Sequence, residues 1–327
     1  MRAFCVSIVE ISDAAERLFR NWEELGFHDA PRRVVSLVPS VTESLFGLGC
    51  GGALVGVTDF CVHPAEAVKR LPRVGGTKNP DLQRIQAAMP DLIIANQEEN
   101  SQASLAALAA EGFRVWLTFP RTVRQALDLL HDLVRLFRVS AMGHQLSALE
   151  TAYEWASLAA ENTPPVKVFC PIWREPGAHS PAEGPRWWMT IHRDTYVHDV
   201  IRLCGGRNVF ADRERRYPLA ADLGESQAAT PGPAAGRDTR YPRVTTQEVA
   251  EQAPDLILLP SEPYLFSESD LAAFDDFGEI PAVKNKNIRL VDGSLLTWHG
   301  IRVARALAEL PAIINPGEAG TENVAWE

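Results

Sequence analysis

One phrase occurs twice in this chain, and it constrains the fold more than any other feature. Residues 90–94 read PDLII and residues 254–258 read PDLIL. Both copies follow a Pro-Arg-Val opening and a short helical pattern, and both lead into an acidic, polar segment. A short apolar run bounded by turn residues predicts a buried strand. Two copies so far apart therefore predict one strand–helix unit that is used once in each half of the chain.

Apolar strands alternate with helical segments on both sides of a long helical spacer. The first half contains the strand-like runs RVVSLVP, ALVGVT, DLIIAN and RVWLTF, and the second half contains VKVFCPIW, DLILLP and NIRLVDG. Continuous apolar strands separated by helices are typical of parallel sheets that are covered on both faces. The sequence predicts an α/β fold with two lobes, each a mainly parallel sheet flanked by helices, joined by one long backbone helix.

The domain boundaries follow from this alternation. We expect an N-terminal extension at 1–31 (a strand and an amphipathic helix), an α/β lobe at 32–138, the backbone helix at 139–162, a second α/β lobe at 163–314 and a tail at 315–327. A Pro/Gly/Ala-rich stretch at 212–243 is too long for an ordinary connection and is predicted to form a mobile flap or an ordered lid over the ligand. Tyr217 and Tyr241 near its two ends suit a pinned lid.

Composition excludes several classes of protein. The net charge of -10 with no basic patch argues against a nucleic-acid partner, and no apolar run is long enough to span a membrane. The N-terminus lacks the pattern of a secretory signal, so we expect a cytoplasmic protein, or a periplasmic or surface-anchored one if the true start lies upstream. The five scattered cysteines contain no C-x-x-C pair and are expected to be small buried residues. We expect a monomer.

An ordered set of motifs resembles a known family. The segments RVVSLVPSVTESLFGLG, LVGVTDFCVHPAE, LPRVGGTKNPDLQRIQAAMPDLIIAN, DTYVHDVIRLCGGRNVF, YPRVTTQEVAEQAPDLILLP and LVDGSLLTWHGIRVARAL cover roughly residues 32–312. In this order they resemble the helical-backbone metal-chelate receptors, the class III substrate-binding proteins for cobalamin, ferric siderophores and haem. VGVTDFCVHP and PRVGGTKNPDL are most similar to the cobalamin-binding branch. The resemblance implies two lobes that hold a chelate between them, without catalysis and without a required cofactor.

A corrinoid is a large, flat and mostly apolar ring edged with amides, so its site needs aromatic walls and polar groups at the rim. Loops that follow the predicted strands offer candidates for this role. They are Phe60, Thr77, Lys78, Asn96 and Phe119 in the first lobe, and Trp173, Trp187, Trp188, Tyr264 and Trp298 in the second.

One histidine and three arginines are further candidates. His299 lies just before the last helix, at a position that faces the ligand in the family, and is either an axial metal ligand or an ordinary packing histidine. Arg121, Arg174 and Arg240 are candidate partners for the anionic groups of a siderophore or a haem, the alternative ligands.

The sequence departs from the family at its docking residues. Members that deliver ligand to an ABC permease use one exposed glutamate on each lobe, and the matching positions here are Gln102 and Gln247. Neighbouring Glu99 and Glu248 are candidate replacements. We therefore expect a relative that binds its chelate without delivering it to a permease. An export signal upstream of Met1 would contradict this expectation.

Two rival classes stay open at this stage. A chelatase-like enzyme would need titratable groups that converge in one site, for which His63, His192, His299, Glu98 and Glu262 are the candidates. No H-x-x-x-H, G-x-S-x-G or phosphate-loop motif accompanies them. The other rival is an interaction module that binds no small ligand.

Overall fold

The chain forms two compact units in the computed structural model, which describes residues 18–139, 143–175, 186–226, 237–275 and 277–316. The first unit consists of the chain up to Pro120, Arg124–Glu150 and Trp298–Arg302. The second unit consists of Arg121–Val123, Thr151–Thr297 and the chain from Val303 onward.

The first unit is built on a four-stranded parallel sheet in the order β2-β1-β3-β4. Its strands are β1 (Val34–Ser36), β2 (Leu54–Val57), β3 (Leu92–Asn96) and β4 (Val115–Thr118). Its helices are α1 (Pro39–Gly47), α2 (Ala65–Val68), α3 (Leu82–Ala88), α4 (Gln102–Ala110) and α5 (Val123–Phe137). Helix α5 belongs to this unit from Arg124 onward. The unit ends at Glu150, inside helix α6 (Gly143–Asn162). β1 and β3 are buried along their whole length, as their continuous apolar runs predict.

The second unit repeats this sheet and adds a smaller one. Its strands are β5 (Val166–Phe169), β6 (Trp173–Arg174), β7 (Trp188–Met189), β8 (Gly206–Asn208), β9 (Arg243–Val244), β10 (Leu256–Pro260) and β11 (Ile288–Val291). Its helices are α7 (Tyr196–Leu203), α8 (Leu219–Asp222), α9 (Thr246–Gln252), α10 (Pro281–Lys284), α11 (Ser294–Thr297) and α12 (Val303–Ile314). The parallel sheet has the order β8-β5-β10-β11, which matches β2-β1-β3-β4 strand for strand. The predicted fold class is confirmed.

The doubled phrase forms the same local structure in both units. Helices α3 and α9 precede β3 and β10, and their N-cap residues are Asp81 and Thr245, whose side chains accept hydrogen bonds from the first-turn amides. Each helix ends on a residue in the left-handed region, Met89 at φ 44° and Ala253 at φ 47°. A Pro-Asp pair follows each left-handed residue. The helix ends there because a proline cannot continue it.

The aspartate of each phrase ties its strand to the neighbouring one. The carboxylate of Asp91 accepts hydrogen bonds from the backbone amides of Arg32 (2.8 Å) and Arg33 (3.1 Å), just before β1. The carboxylate of Asp255 accepts one from the amide of Lys167 in β5, at 3.3 Å. The repeated residues therefore set strand register, and the phrase is duplicated scaffold.

The small antiparallel sheet, β6-β7-β9, was not predicted from the sequence. Each of its strands has two residues, which is too short for a period-2 pattern to be visible. The sheet matters because it carries Trp173 and Trp188, two of the predicted ligand-binding residues.

Several local predictions were wrong or fall outside the described part. The sequence also offers Ser40 or Thr42 as the N-cap of α1; this prediction is wrong, because α1 begins at Pro39 and its N-cap, Val38, makes no capping hydrogen bond with its side chain. Residues 18–26 form a single 3-10 turn at Trp22–Leu25 after one bridge at Phe19, where a longer helix was predicted. The predicted start of the extension at 1–17, the segment 140–142 of the backbone helix, the middle of the lid at 227–236 and the tail from 317 lie outside the described residues.

The segment Trp298–Arg302 belongs to the first unit, although the sequence places it after the strands of the second. A bidentate ion pair holds it there, because the guanidinium of Arg302 donates to both carboxylate oxygens of Glu43 at 2.5 and 2.8 Å. Gly300 has φ +87°, and a Cβ at this position would lie 2.1 Å from the Oγ of Ser44. Only glycine therefore allows the close approach of this segment to α1.

No helix in the described ranges combines the length and the apolar character that crossing a membrane would require.

Helices α5 and α6 are joined by a charged cluster. The guanidinium of Arg124 donates two hydrogen bonds to Glu150, at 2.5 and 2.8 Å, and the Nε2 of His131 lies 2.8 Å from the same carboxylate. The bonds from Arg124 lower the pKa of Glu150 from 4.5 to about 2.

The change Glu150→Gln tests this cluster through its pH dependence. A depressed carboxylate pKa stabilises the fold above the unfolded-state value near 4.5, and this stabilisation is lost as the pH falls towards 2. We expect the variant to lose about 1–2 kcal/mol at pH 7, after allowance for solvent screening of the partly exposed pair. Urea unfolding of both proteins from pH 7 to pH 2.5 measures it. A difference that does not shrink at low pH would contradict this explanation.

Candidate functional site

In the first unit, a buried polar network fixes the loops that follow the strands. The Oδ1 of Asn96, at the end of β3, accepts hydrogen bonds from the amides of Glu98 (2.8 Å) and Glu99 (3.3 Å). The side chain of Asn100 accepts from the amide of Asn96 at 2.8 Å and donates to the carbonyl of Thr77 at 2.9 Å. The loop after β3 and the loop that carries Thr77 are therefore held together.

The exposed side chains of this unit stand on the loops that this network holds. Phe60 is 59% exposed, Lys78 is exposed and Thr77 is half-buried. The ammonium of Lys78 donates to the carbonyl oxygen of Glu98. Phe119, directly after β4, is half-buried. Phe60, Glu98 and Phe119 follow the carboxyl ends of the parallel strands β2, β3 and β4, which is where open α/β sheets bind ligands.

His299 is buried behind these loops. Its ring nitrogens lie 3.3 Å from the Oγ of Ser40, and its Nε2 lies 3.5 Å from the Nδ2 of Asn96. Burial lowers the pKa of His299 to about 4, so the ring is neutral at physiological pH. These surroundings are typical of an ordinary packing histidine, which is one of the two roles that the sequence left open. They give no support to the other role, that of an axial metal ligand.

Trp298 packs beside it within the first unit, where the sequence analysis had assigned it to the second lobe. The ring of His63 meets it edge-on at 5.6 Å between centroids, and the guanidinium of Arg302 lies 4.7 Å from the indole centroid. The half-buried indole is held on two sides, and its predicted contact with a ligand stays a prediction.

In the second unit, an aromatic cluster stands at the ends of β5 and β10. Trp173 is 39% exposed and meets the half-buried ring of Tyr264 edge-on at 5.4 Å. Tyr264 in turn lies 4.7 Å from the buried ring of Phe266. Next to Trp173, Arg174 forms an ion pair with the buried Asp270, which holds β6 in place. Two predicted residues are thus brought together, with a supporting ring that sequence reasoning missed.

The prediction that Trp188 contacts a ligand was wrong. Its side chain is 0% exposed and stacks on Phe274 at 4.9 Å with an interplanar angle of 15°. Its Nε1 donates to the Oγ1 of Thr246 at 3.0 Å, so its polar group is satisfied inside the core. The adjacent Trp187 is also buried, with the guanidinium of Arg243 6.0 Å from its centroid.

The predicted docking positions differ in what their side chains do. Gln102 and Gln247 are exposed in the first turns of α4 and α9. Glu248 is engaged in a capping box, because its carboxylate accepts from the amide of Thr245 at 2.9 Å. Glu99 is half-buried. Glu248 is therefore a poor replacement for a docking glutamate, and the roles of the other three stay predictions.

Two of the candidates for an enzyme have hydrogen-bond partners close by. His192 accepts a hydrogen bond from the amide of Asp194 at 3.2 Å, and Glu262 accepts one from the hydroxyl of Thr297 at 2.5 Å. The described residues contain no group of three or more His, Cys, Asp or Glu side chains placed to hold a metal ion. Four cysteines are free and buried as expected, namely Cys50, Cys61, Cys170 and Cys204, whereas Cys5 lies outside the described residues.

Comparison with known proteins finds similarity to one family and to several solved structures. Residues 34–148 match the family described as periplasmic binding protein. The periplasmic vitamin B12-binding protein of Vibrio cholerae has the same fold, with a TM-score of 0.64, 22% identity, and coverage of 87% of this chain and 96% of that one. The periplasmic haem-binding protein of Roseiflexus sp. RS-1 has a TM-score of 0.63 and 22% identity, with coverage of 86% and 97%. The family resemblance predicted from the sequence is confirmed.

The relatives found by sequence identity are more specific in the ligand that they are named for. The chain is 31% identical to the vitamin B12-binding protein of Photorhabdus laumondii over 193 residues, which is 58% of this chain and 65% of that protein. It is 30% identical to the vitamin B12-binding protein of Yersinia pestis over 192 residues, which is 58% of this chain and 64% of that protein. The match spans slightly less than two thirds of the length of these relatives.

Proposed function

We propose that this chain is a substrate-binding protein that takes up a cobalamin or related corrinoid and catalyses no reaction. The observation that carries the proposal is the identity of 30–31% with vitamin B12-binding proteins over 58% of the chain. The exposed aromatic side chains at strand ends support it. Phe60 in the first unit is an exposed ring, and so is Trp173 in the second, where the half-buried Tyr264 packs against it. Each exposed ring suits the face of a flat ligand.

Titration with cyanocobalamin, haem and a panel of ferric siderophores tests the proposal. We expect cyanocobalamin to bind with a Kd below about 10 μM, roughly 7 kcal/mol of binding free energy. The absorbance spectrum of the bound chelate should stay constant with time, whereas a chelatase would change it. Binding of haem alone would move the assignment to the alternative ligand, and a Kd above this range for every chelate would reject the function.

The change Trp173→Ala tests whether this ring contacts the ligand. An exposed aromatic anchor that becomes covered on binding contributes about 2 kcal/mol, so the Kd should rise roughly 30-fold. Trp155→Ala is the matched control, because Trp155 lies on α6 and is 74% exposed. Calorimetric titration of the three proteins with cyanocobalamin measures the effect. Equal affinities for the two variants would remove Trp173 from the site.

The proposed function does not include delivery of the ligand to an ABC permease. The docking positions Gln102 and Gln247 carry amides, which cannot form the ion pairs that glutamates form with transporter arginines. We expect ligand binding to be independent of Gln102 and Gln247.

A further inference from the structure

The small antiparallel sheet of the second unit separates its side chains between two faces. Residues that stand directly opposite on neighbouring strands point to the same face of a sheet. One row across the three strands consists of Arg174, Trp188 and Val244. Trp188 and Val244 are 0% exposed and belong to the core of this unit. This row therefore faces the core, and the row beside it faces away.

The second row carries a ring at one end and a cation at the other. It consists of Trp173, Met189 and Arg243 in direct register across β6, β7 and β9. Two strand spacings separate its ends, which is roughly 10 Å. A large flat ligand that lies on Trp173 can therefore reach the cations around Arg243 with a group at its edge.

Arg215 lies close enough to Arg243 for the two charges to interact. Its backbone amide donates to the carbonyl of Thr239 at 2.8 Å, and its guanidinium lies 4.8 Å from the ring centroid of Tyr217. The guanidinium of Arg237 lies 4.9 Å from the same centroid. The Nε of Arg215 is buried and has no hydrogen-bond partner in the described part of the chain. A buried donor without a partner is costly, so this Nε is suited to bind an acceptor group.

The carboxylates near Arg215 are engaged by other arginines. Asp222 accepts hydrogen bonds from the Nε of Arg243 at 2.9 Å and from the Nη1 of Arg213 at 3.2 Å. Asp238 accepts from the Nε and Nη2 of Arg240 at 2.9 and 2.6 Å. Burial, and next the charge of Arg243, lower the pKa of Arg215, although an arginine remains a cation in a protein. The local charge balance thus favours an added anion.

We propose that Arg215 is the anion-binding residue of the second unit, and that it pairs with a phosphate or carboxylate group of a ligand whose flat part lies against Trp173. The inference rests on the proposed function and narrows its substrate class to chelates with an anionic group. Arg174 and Arg240, the arginines that the sequence suggested for this role, are paired with Asp270 and Asp238.

Two pairs of chelates separate the anion from the rest of the ligand. Cyanocobalamin carries a phosphodiester that dicyanocobinamide lacks, and haem carries carboxylates that its dimethyl ester lacks. In the pair that the wild-type protein binds, Arg215→Gln should raise the Kd of the anionic member at least tenfold, which is the effect of one charge-assisted hydrogen bond. The uncharged member should bind both proteins alike, and Arg215→Lys should fall between wild type and Gln for the anionic member.

Arg216→Gln is the matched control, because it makes the same charge change at the next residue, whose side chain is exposed. Thermal unfolding of each variant shows that the fold is retained. If Arg215→Gln binds the anionic member as wild type does, or weakens both members equally, the inference is wrong while the proposed function stands. If wild type binds neither pair, the proposed function fails and the inference fails with it.

Discussion

Replacing Trp188 with alanine is expected to lower the free energy of unfolding of the second unit by about 3–5 kcal/mol, the usual cost of removing a buried tryptophan. The indole is fully enclosed, stacks on Phe274 at 4.9 Å and donates to Thr246 at 3.0 Å. Its loss leaves a cavity in the core and removes the partner of a buried hydroxyl. Urea unfolding followed by far-UV circular dichroism measures the change.

Trp173→Ala is the control for this substitution. Its ring is partly exposed on the opposite face of the same small sheet, so its removal should cost stability much less than removal of Trp188. The two variants should therefore separate, with Trp188→Ala losing stability and Trp173→Ala losing ligand affinity. Wild-type stability in the Trp188 variant would show that the core of this unit is not packed as described.

Replacing Asp222 with asparagine is expected to cost about 3–5 kcal/mol, because it leaves buried arginines without their counter-charge. The carboxylate of Asp222 is buried and accepts four hydrogen bonds: from the side chain of Arg213 (3.2 Å), the amide of Arg216 (2.9 Å), and the amide (3.0 Å) and Nε (2.9 Å) of Arg243. These bonds join the described residues before position 227 to β9. Asparagine keeps the shape of the side chain but can accept fewer of these bonds.

Asp238→Asn is the comparison for Asp222→Asn. Asp238 also pairs with an arginine, Arg240, but its side chain is 45% exposed, and ion pairs that are open to solvent contribute about 0–1 kcal/mol. Thermal unfolding of both variants at pH 7 distinguishes a buried charge cluster from a surface pair. Similar melting temperatures for the two would contradict the central role of Asp222.

The strands that the sequence predicts well are those that local chemistry specifies. β1, β3 and β10 are buried along their whole length, and a strand that is buried on both faces needs no information about its neighbours to be recognised. Helix α7 begins after Thr195, a residue type typical of N-caps, whose side chain accepts a hydrogen bond from the amide of His198. Capping is a contact within three residues, so it is visible in sequence.

The candidate site was predicted less well because burial depends on long-range packing. Trp173 and Trp188 were both predicted to contact the ligand, yet they lie on opposite faces of one antiparallel sheet. Which face is covered depends on Phe274, far along the chain. Arg215 was missed for the same reason, since its significance depends on which arginines Asp222 and Asp238 already bind.

The sequence by itself determined the duplicated parallel sheet, because strand burial, helix capping and the Pro-Asp phrase are interactions among near neighbours or patterns with a fixed period. Only the tertiary structure decided that Trp298–Arg302 packs with the first unit, that Trp188 is core and Trp173 is surface, and that the Nε of Arg215 has no hydrogen-bond partner among the described residues. These outcomes depend on ion pairs and ring contacts between residues distant in the chain, such as Glu43 with Arg302, and no local pattern encodes them.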